Sequence, residues 1–334
     1  MRALRTSSLA ALLLAGMSAP LFAQAAVCTV DYGKPGQVKD ANKAVETSEL
    51  IGKPEDKRKA FIRAVTLLTK EAEKVRSNPT GVSMVLGRAL LDLSMLPDQA
   101  PVVRRADVGF TTDPEVQIDL LAAADSLFDL VEAAQSACKE ETESHRRRPF
   151  ADLANAAVNH YNNRQVDSAS AAVRRALLIY DGYPLSYIAY NILGNILQTN
   201  DAVPGAIAAF KRMAELMKGD TSLVAERKTT VILVAQLMID QGERGEGATR
   251  TAAMNEVVAY LEGFLREFPG DIKAQSAIAT AQLKSGDVAA ARRLFDEMLG
   301  NPDKYTDLNL LEAGVGAARA SQNAMAAQLF EAGL

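Results

Sequence analysis

Tyr190-Asn191-Ile192-Leu193-Gly194 and Ala206-Ile207-Ala208-Ala209-Phe210 are the two pieces of sequence on which the fold turns. Ala206 stands twelve residues after Gly194, and Phe210 follows four residues later. Between the pieces the polar run Gln198-Thr199-Asn200-Asp201 breaks the apolar spacing. The pattern predicts two antiparallel helices around a tight turn. Small residues at facing positions let the helices approach, and the phenylalanine fills the gap between that pair and its neighbour.

The same offsets recur on both sides. Ala157, Ala169 and Val173 form one set, Ala279, Ala291 and Phe295 another, and Gly314, Ala326 and Phe330 a third. A further unit keeps the small residue at Ala235. It predicts an inserted stretch, Glu243 to Ala252, before a second helix from about Met254 to Phe268. Lys284-Ser285-Gly286-Asp287 and Ala320-Ser321-Gln322-Asn323 are the matching turns, where Asp or Asn can cap the incoming helix. A helix pair of this kind cannot bury its apolar face alone, so the pairs must stack.

From about Phe150 to Leu334 this arrangement resembles the tetratricopeptide repeat family. Leu153, Tyr190 and Leu310 stand where that family often has tryptophan. The resemblance implies an all-α fold, a right-handed α-α superhelical solenoid of antiparallel helix pairs. It also implies a concave face of first helices that binds peptides. On those helices the stripes are Ala154, Val158, Tyr161; Ile188, Asn191, Asn195, Gln198; Ile232, Gln236, Ile239; Ser276, Thr280, Leu283; and Leu311, Val315, Ala318. None is charged, so the lysine-and-asparagine clamp that some members use for acidic peptide ends has no counterpart. The groove candidates are Val158, Tyr161, Asn191, Asn195, Gln198, Gln236, Ile239 and Thr280. The competing reading makes Asn191 and Asn195 wet surface amides and Tyr161 a packing residue between pairs.

The preceding half reads as decayed repeats. Ser83-Met84-Val85-Leu86-Gly87-Arg88-Ala89-Leu90 has the look of a first helix, with its partner at Val116 to Lys139 after an insertion at about 95–114. Within that insertion Val102-Val103 and Val108-Gly109-Phe110 suggest extended chain. Asp40 to Leu67 suggests another pair around Gly52-Lys53-Pro54. The domain plan is therefore a signal at 1–25, a helical region at 26–148 and a repeat domain at 149–334.

Residues 1–25 have the order of a secretory signal: Arg2 and Arg5, the apolar run Leu9 to Gly16, Pro20, then Ala23-Gln24-Ala25 as a small-x-small cleavage site. Lipid attachment at Cys28 is the alternative, although Val27 stands where a lipoprotein signal needs a small residue. No later apolar run approaches the roughly 20 residues that span a bilayer. The expectation is a periplasmic or secreted protein with no integral membrane segment once the signal is cleaved. The chain has 37 basic and 41 acidic side chains, and loss of Arg2 and Arg5 leaves 35 against 41. That balance disfavours nucleic acid as a partner. Arg146-Arg147-Arg148 follows Glu140, Glu141 and Glu143, and reads as neutralised pairs on a solvated helix end. Cys28 and Cys138 are an even pair and a candidate disulfide in an oxidising compartment.

No catalytic or metal constellation is legible. The two histidines are His145, read as part of a charged linker, and His160, read as a core or boundary residue. No metal-ligand spacing, phosphate loop or nucleophile elbow is present. Gly242 to Gly247 reads as a flexible loop. The sequence therefore predicts an exported scaffold or adaptor that holds protein or peptide partners, with no cofactor. A structural subunit that oligomerises through an uncapped C-terminal repeat is the second reading.

Overall fold

The computed structural model describes residues 27–182, 185–301, 305–319 and 322–334. The predicted signal lies outside these residues, as do Tyr183 and Pro184, Pro302 and Asp303, and Ala320 and Ser321 in the predicted turns. Among the described residues the fold is all-α, with one two-stranded ribbon. None of these helices is long and apolar enough to cross a membrane.

Five helix pairs occupy the C-terminal three fifths, from Lys139 onward. They are α6 (Lys139–Asn162) with α7 (Val166–Ile179), α8 (Ser186–Thr199) with α9 (Val203–Leu216), and α10 (Val224–Glu243) with α11 (Gly247–Leu265). Then come α12 (Ile272–Ser285) with α13 (Val288–Gly300), and α14 (Asp307–Arg319) with α15 (Asn323–Ala332). The turns within a pair are short, which makes the partners antiparallel. Consecutive pairs stack: α7 packs on α8, α9 on α10, α11 on α12, and α12 on α14. This is a tetratricopeptide-like solenoid.

The small residues sit where close approach demands them. A β-carbon built on Gly194 would lie 2.5 Å from Cε1 of Phe210, and one on Gly314 would lie 2.6 Å from the Phe330 ring. Ala157, Ala169, Ala206, Ala279 and Ala291 are fully buried, and Ala326 nearly so. At the turns the capping is mixed. Asp287 accepts from the Ala290 amide and caps α13, whereas Asp201 takes a left-handed φ of 54° and α9 has no side-chain cap.

The unit containing Ala235 corrects an expectation. Glu243 to Ala252 is not a looped insertion, because all but Arg244, Gly245 and Glu246 is helical and the extra residues lengthen both α10 and α11. Gly242 is buried, and a β-carbon there would meet Met254 Cε at 2.7 Å and Ala253 Cβ at 2.9 Å. Gly242 is the close-contact residue at the mouth of a longer hairpin, not part of a flexible loop.

Upstream, α1 (Gly36–Ser48) pairs with α2 (Pro54–Thr69), and α4 (Pro79–Ser94) pairs with α5 (Leu120–Ala134), with the short α3 (Ala72–Val75) between the pairs. A β-carbon on Gly87 would lie 2.9 Å from the Phe128 ring, the same glycine-on-phenylalanine contact as in the later pairs. The chain between α4 and α5 carries β1 (Val102–Arg104) and β2 (Gln117–Asp119), paired antiparallel. Val102 and Val103 are thus extended. Val108, Gly109 and Phe110 are not, because residues 105–108 form a 3-10 turn ended by Gly109 at φ 94°, packed against Ile62 and Thr66. Helix α5 begins at Leu120, not Val116, since Asp119 caps it through the Leu121 and Ala122 amides.

The expected boundary between 148 and 149 falls inside α6, which runs through Pro149, and one buried cluster extends from Val38 to Ile196 across it. Two corrections follow. His145 lies on this helix and its ring is stacked on Phe128 at 5.9 Å, so it is not in a linker. Arg146 is 4% exposed and pairs with Asp125, Asp129 and Glu132 of α5. It is a buried bolt between α5 and α6, not a solvated charge, and the i, i+4, i+7 spacing of its three partners puts them on one face of α5.

Candidate functional site

Three first helices, α10, α12 and α14, lie side by side and leave an open groove of about 1040 Å³. Their register is fixed by residues that allow close crossing. A β-carbon on Gly316 of α14 would come 3.0 Å from Ser276 Oγ and 3.1 Å from Thr280 Oγ1 of α12, so glycine lets α14 rest on these two hydroxyl residues. Both hydroxyl residues are buried, and Thr280 Oγ1 donates to the Ser276 carbonyl at 3.0 Å, which satisfies it within its own helix. They form a quiet polar floor.

The walls are apolar. Ile232 and Ile239 come from α10, Ala277 from α12, and Leu308, Leu311 and Val315 from α14. Leu308 is 62% exposed and Val315 42%, so two large apolar side chains face solvent at the lip. The rim is charged, which the uncharged stripes of the sequence do not show. Lys284 pairs with Glu243 across α12 and α10, and Lys273 pairs with Glu312 across α12 and α14 at 3.3 Å. Asp240 receives the Gln236 amide at 3.0 Å. These charges come from positions beside each predicted stripe, because a groove between helices is lined by more than one row of side chains.

The sequence-derived candidates divide. Gln236, Ile239 and Thr280 line this groove together. Val158 and Tyr161 do not. They are half-buried and pack against the first buried cluster, as the packing reading of Tyr161 has it. Asn195 donates its amide to the carbonyl and side-chain oxygens of Asn191 at 2.8 Å, so this pair is hydrogen-bonded within α8, and Gln198 is exposed at the end of that helix. Leu308, Lys273, Glu312 and Gly316 are groove residues that the stripes leave out. The signal for Gly316 is the Gly314-x-Gly316 spacing, which places one glycine towards Phe330 and the next towards α12.

Residues 155–220 match the family model of the tetratricopeptide repeat. That segment carries tetratricopeptide repeats. The matched segment contains the end of α6, all of α7 and the α8–α9 pair, and α10 to α15 continue the same stack beyond it. No curated protein matches the sequence. Tetratricopeptide hairpins serve as protein-interaction scaffolds, and the groove lies on their first helices.

A second hollow, about 550 Å³, lies among α1, α2, α4 and α6. Burial pushes the Asp92 carboxyl up to about 6, and burial together with Arg88 pushes His145 down to about 4. At neutral pH His145 is therefore an uncharged ring filling space beside Phe128. Among the described residues no group of three or more His, Cys, Asp or Glu side chains is placed to hold a metal.

At the N-terminal edge Cys28 and Cys138 are joined by a disulfide that spans 110 residues. Thr29 donates to Gln135 and Tyr32 to Glu141 at 2.5 Å, while the Asn78 amide holds the carbonyls of Asp31 and Lys34. The segment before α1 is thereby tied to the α5–α6 junction.

Proposed function

We propose that this protein is an exported scaffold of the cell envelope that holds protein partners in the groove of α10, α12 and α14, with no catalysis of its own. The observation that carries the reading is that groove: apolar walls, a floor on which the Thr280 hydroxyl is already hydrogen-bonded within its own helix, and Leu308 and Val315 exposed at its lip. Contiguous exposed apolar surface rimmed by polar groups marks interaction sites. Export is supported by the signal-like order of residues 1–25 and by the Cys28–Cys138 bond, which suits an oxidising compartment.

The test is paired affinity capture from envelope extract, with the native chain and a Leu308→Glu/Val315→Glu variant as baits. A partner held by the first and lost by the second, at equal helical circular dichroism, supports the reading; identical capture by both sinks it. A concentration-dependent mass shift of the purified chain, abolished by the same variant, would point instead to self-assembly. Export is checked by cell fractionation and by the mass of the mature N-terminus, expected at Ala26.

A further inference from the structure

We infer that the groove takes a peptide segment in which basic side chains stand among apolar ones. This rests on the reading of the groove as a protein-binding surface and specifies what that surface selects.

The charges in the groove are not evenly spent. Both lysines are matched within the protein, Lys284 by Glu243 and Lys273 by Glu312. What remains is acceptor capacity. Glu312 uses Oε1 on Lys273, while its Oε2 is buried with no hydrogen-bond partner. Asp240, exposed on α10, takes one neutral amide donor from Gln236. Leaving a buried acceptor unmet costs about 1–3 kcal/mol, and more for a charged group. Asp240 is open to a ligand's donors as it stands, and a turn of the Glu312 carboxylate, whose side chain is 31% exposed, brings Oε2 to them; an ammonium or guanidinium brings donors with the right charge.

Summed over its lining, the groove holds three carboxylates and two ammonium groups. An acidic segment would add like charge beside Asp240 and Glu312, with no unmatched lysine to receive it. A purely apolar segment would cover Leu308 and Val315 but leave Glu312 Oε2 unmet. A segment with lysine or arginine beside leucine- or valine-like residues satisfies both kinds of surface. The apolar walls supply contact, and the two carboxylates set the sign of the charge.

The experiment uses the full chain and three fluorescent peptides with identical apolar residues, carrying lysine, glutamine or glutamate at the variable positions. Fluorescence anisotropy at low and physiological salt should rank them lysine, glutamine, glutamate. Asp240→Asn and Glu312→Gln should each weaken the lysine peptide by about five- to tenfold and reduce its salt dependence, while moving the glutamine peptide by less than about twofold. Asp240 is exposed, so its variant keeps the fold even if that at Glu312 loosens α14. Equal affinity for the lysine and glutamine peptides, or tighter binding of the glutamate peptide, overturns the inference and leaves the scaffold reading standing. Failure of all three to bind overturns both.

Discussion

At the scale of single residues, the fold rests on glycine under phenylalanine. Gly87, Gly194 and Gly314 each face a ring that leaves no room for a β-carbon. Gly194→Ala forces the Phe210 ring out of a fully packed site, and that overpacking outweighs alanine's better helix propensity. A net loss of about 1–2 kcal/mol in urea unfolding is expected. Gly263→Ala is the contrast, because its nearest neighbour is the far end of Arg266 at 3.6 Å; a gain of roughly 0.5–1 kcal/mol is expected there. If both changes shift the midpoint alike, close contact is not what Gly194 provides. The spacing of twelve and sixteen residues made Gly194 and Gly314 legible, since each pair closes through a short turn. Phe128 answers Gly87 across forty-one residues, and no periodicity reaches over the ribbon inserted between them.

His145 carries a prediction of its own at this scale. Its folded pKa, about 4, lies below the ordinary value of 6.5, because burial and then Arg88 oppose the charged ring. Between pH 6.5 and 4 the unfolded chain binds a proton here that the folded chain does not, so this group removes stability as pH falls through that window. Asp92, pushed up to about 6 by burial, works in the opposite sense over an overlapping range, so the whole-protein profile does not isolate either. A His145→Gln variant does. Relative to the variant, the native chain should lose stability steadily from pH 6.5 to 4 in parallel urea titrations. Parallel profiles would mean that the ring is solvated and not held neutral by its burial beside Phe128.

Among elements, the junction of α5 and α6 shows why part of the architecture was hidden. Arg146-Arg147-Arg148 after a run of glutamates reads as surface, because the partners of Arg146 sit fourteen to twenty-one residues earlier and on another helix. Tertiary pairing, not local pattern, buries it. The same junction receives the N-terminal segment through Cys28–Cys138, where an even cysteine count did indicate a bridge but not what it ties together. A cross-link closing a loop of this length limits the unfolded chain, and the chain-entropy model assigns it about 4–5 kcal/mol. Cys28→Ser and reduction by dithiothreitol should therefore lower the unfolding free energy by a similar amount, approaching that figure. Addition of dithiothreitol to the serine variant should change nothing further. A loss well under about 1 kcal/mol would show that the hydrogen bonds at Gln135, Glu141 and Asn78 hold the segment without the bond.

Across the whole molecule, burial is graded along the stack. The first cluster, Val38 to Ile196, is packed with large side chains such as Phe128, Met84, Leu90 and Leu120. The last, Ala279 to Leu329, gathers Phe295, Met298, Leu310, Met325 and Leu329 among alanines. In a stacked array each hairpin's stability is its own plus that of its interfaces, and opening begins where those terms are least. Amides of α13 to α15 should then exchange with deuterium at lower free energy than those of α4 and α5. The groove lies across this gradient, since α10 belongs to the middle cluster and α14 to the last. A ligand that bridges them binds the closed array and not the opened one, so a peptide at a hundred times its Kd should raise the opening free energy of α14 by about 2.7 kcal/mol, slowing exchange roughly a hundredfold. Exchange at one common rate from α4 to α15 would mean that the stack opens as a single unit. Ligand protection would then spread over every helix, with no concentration at α14.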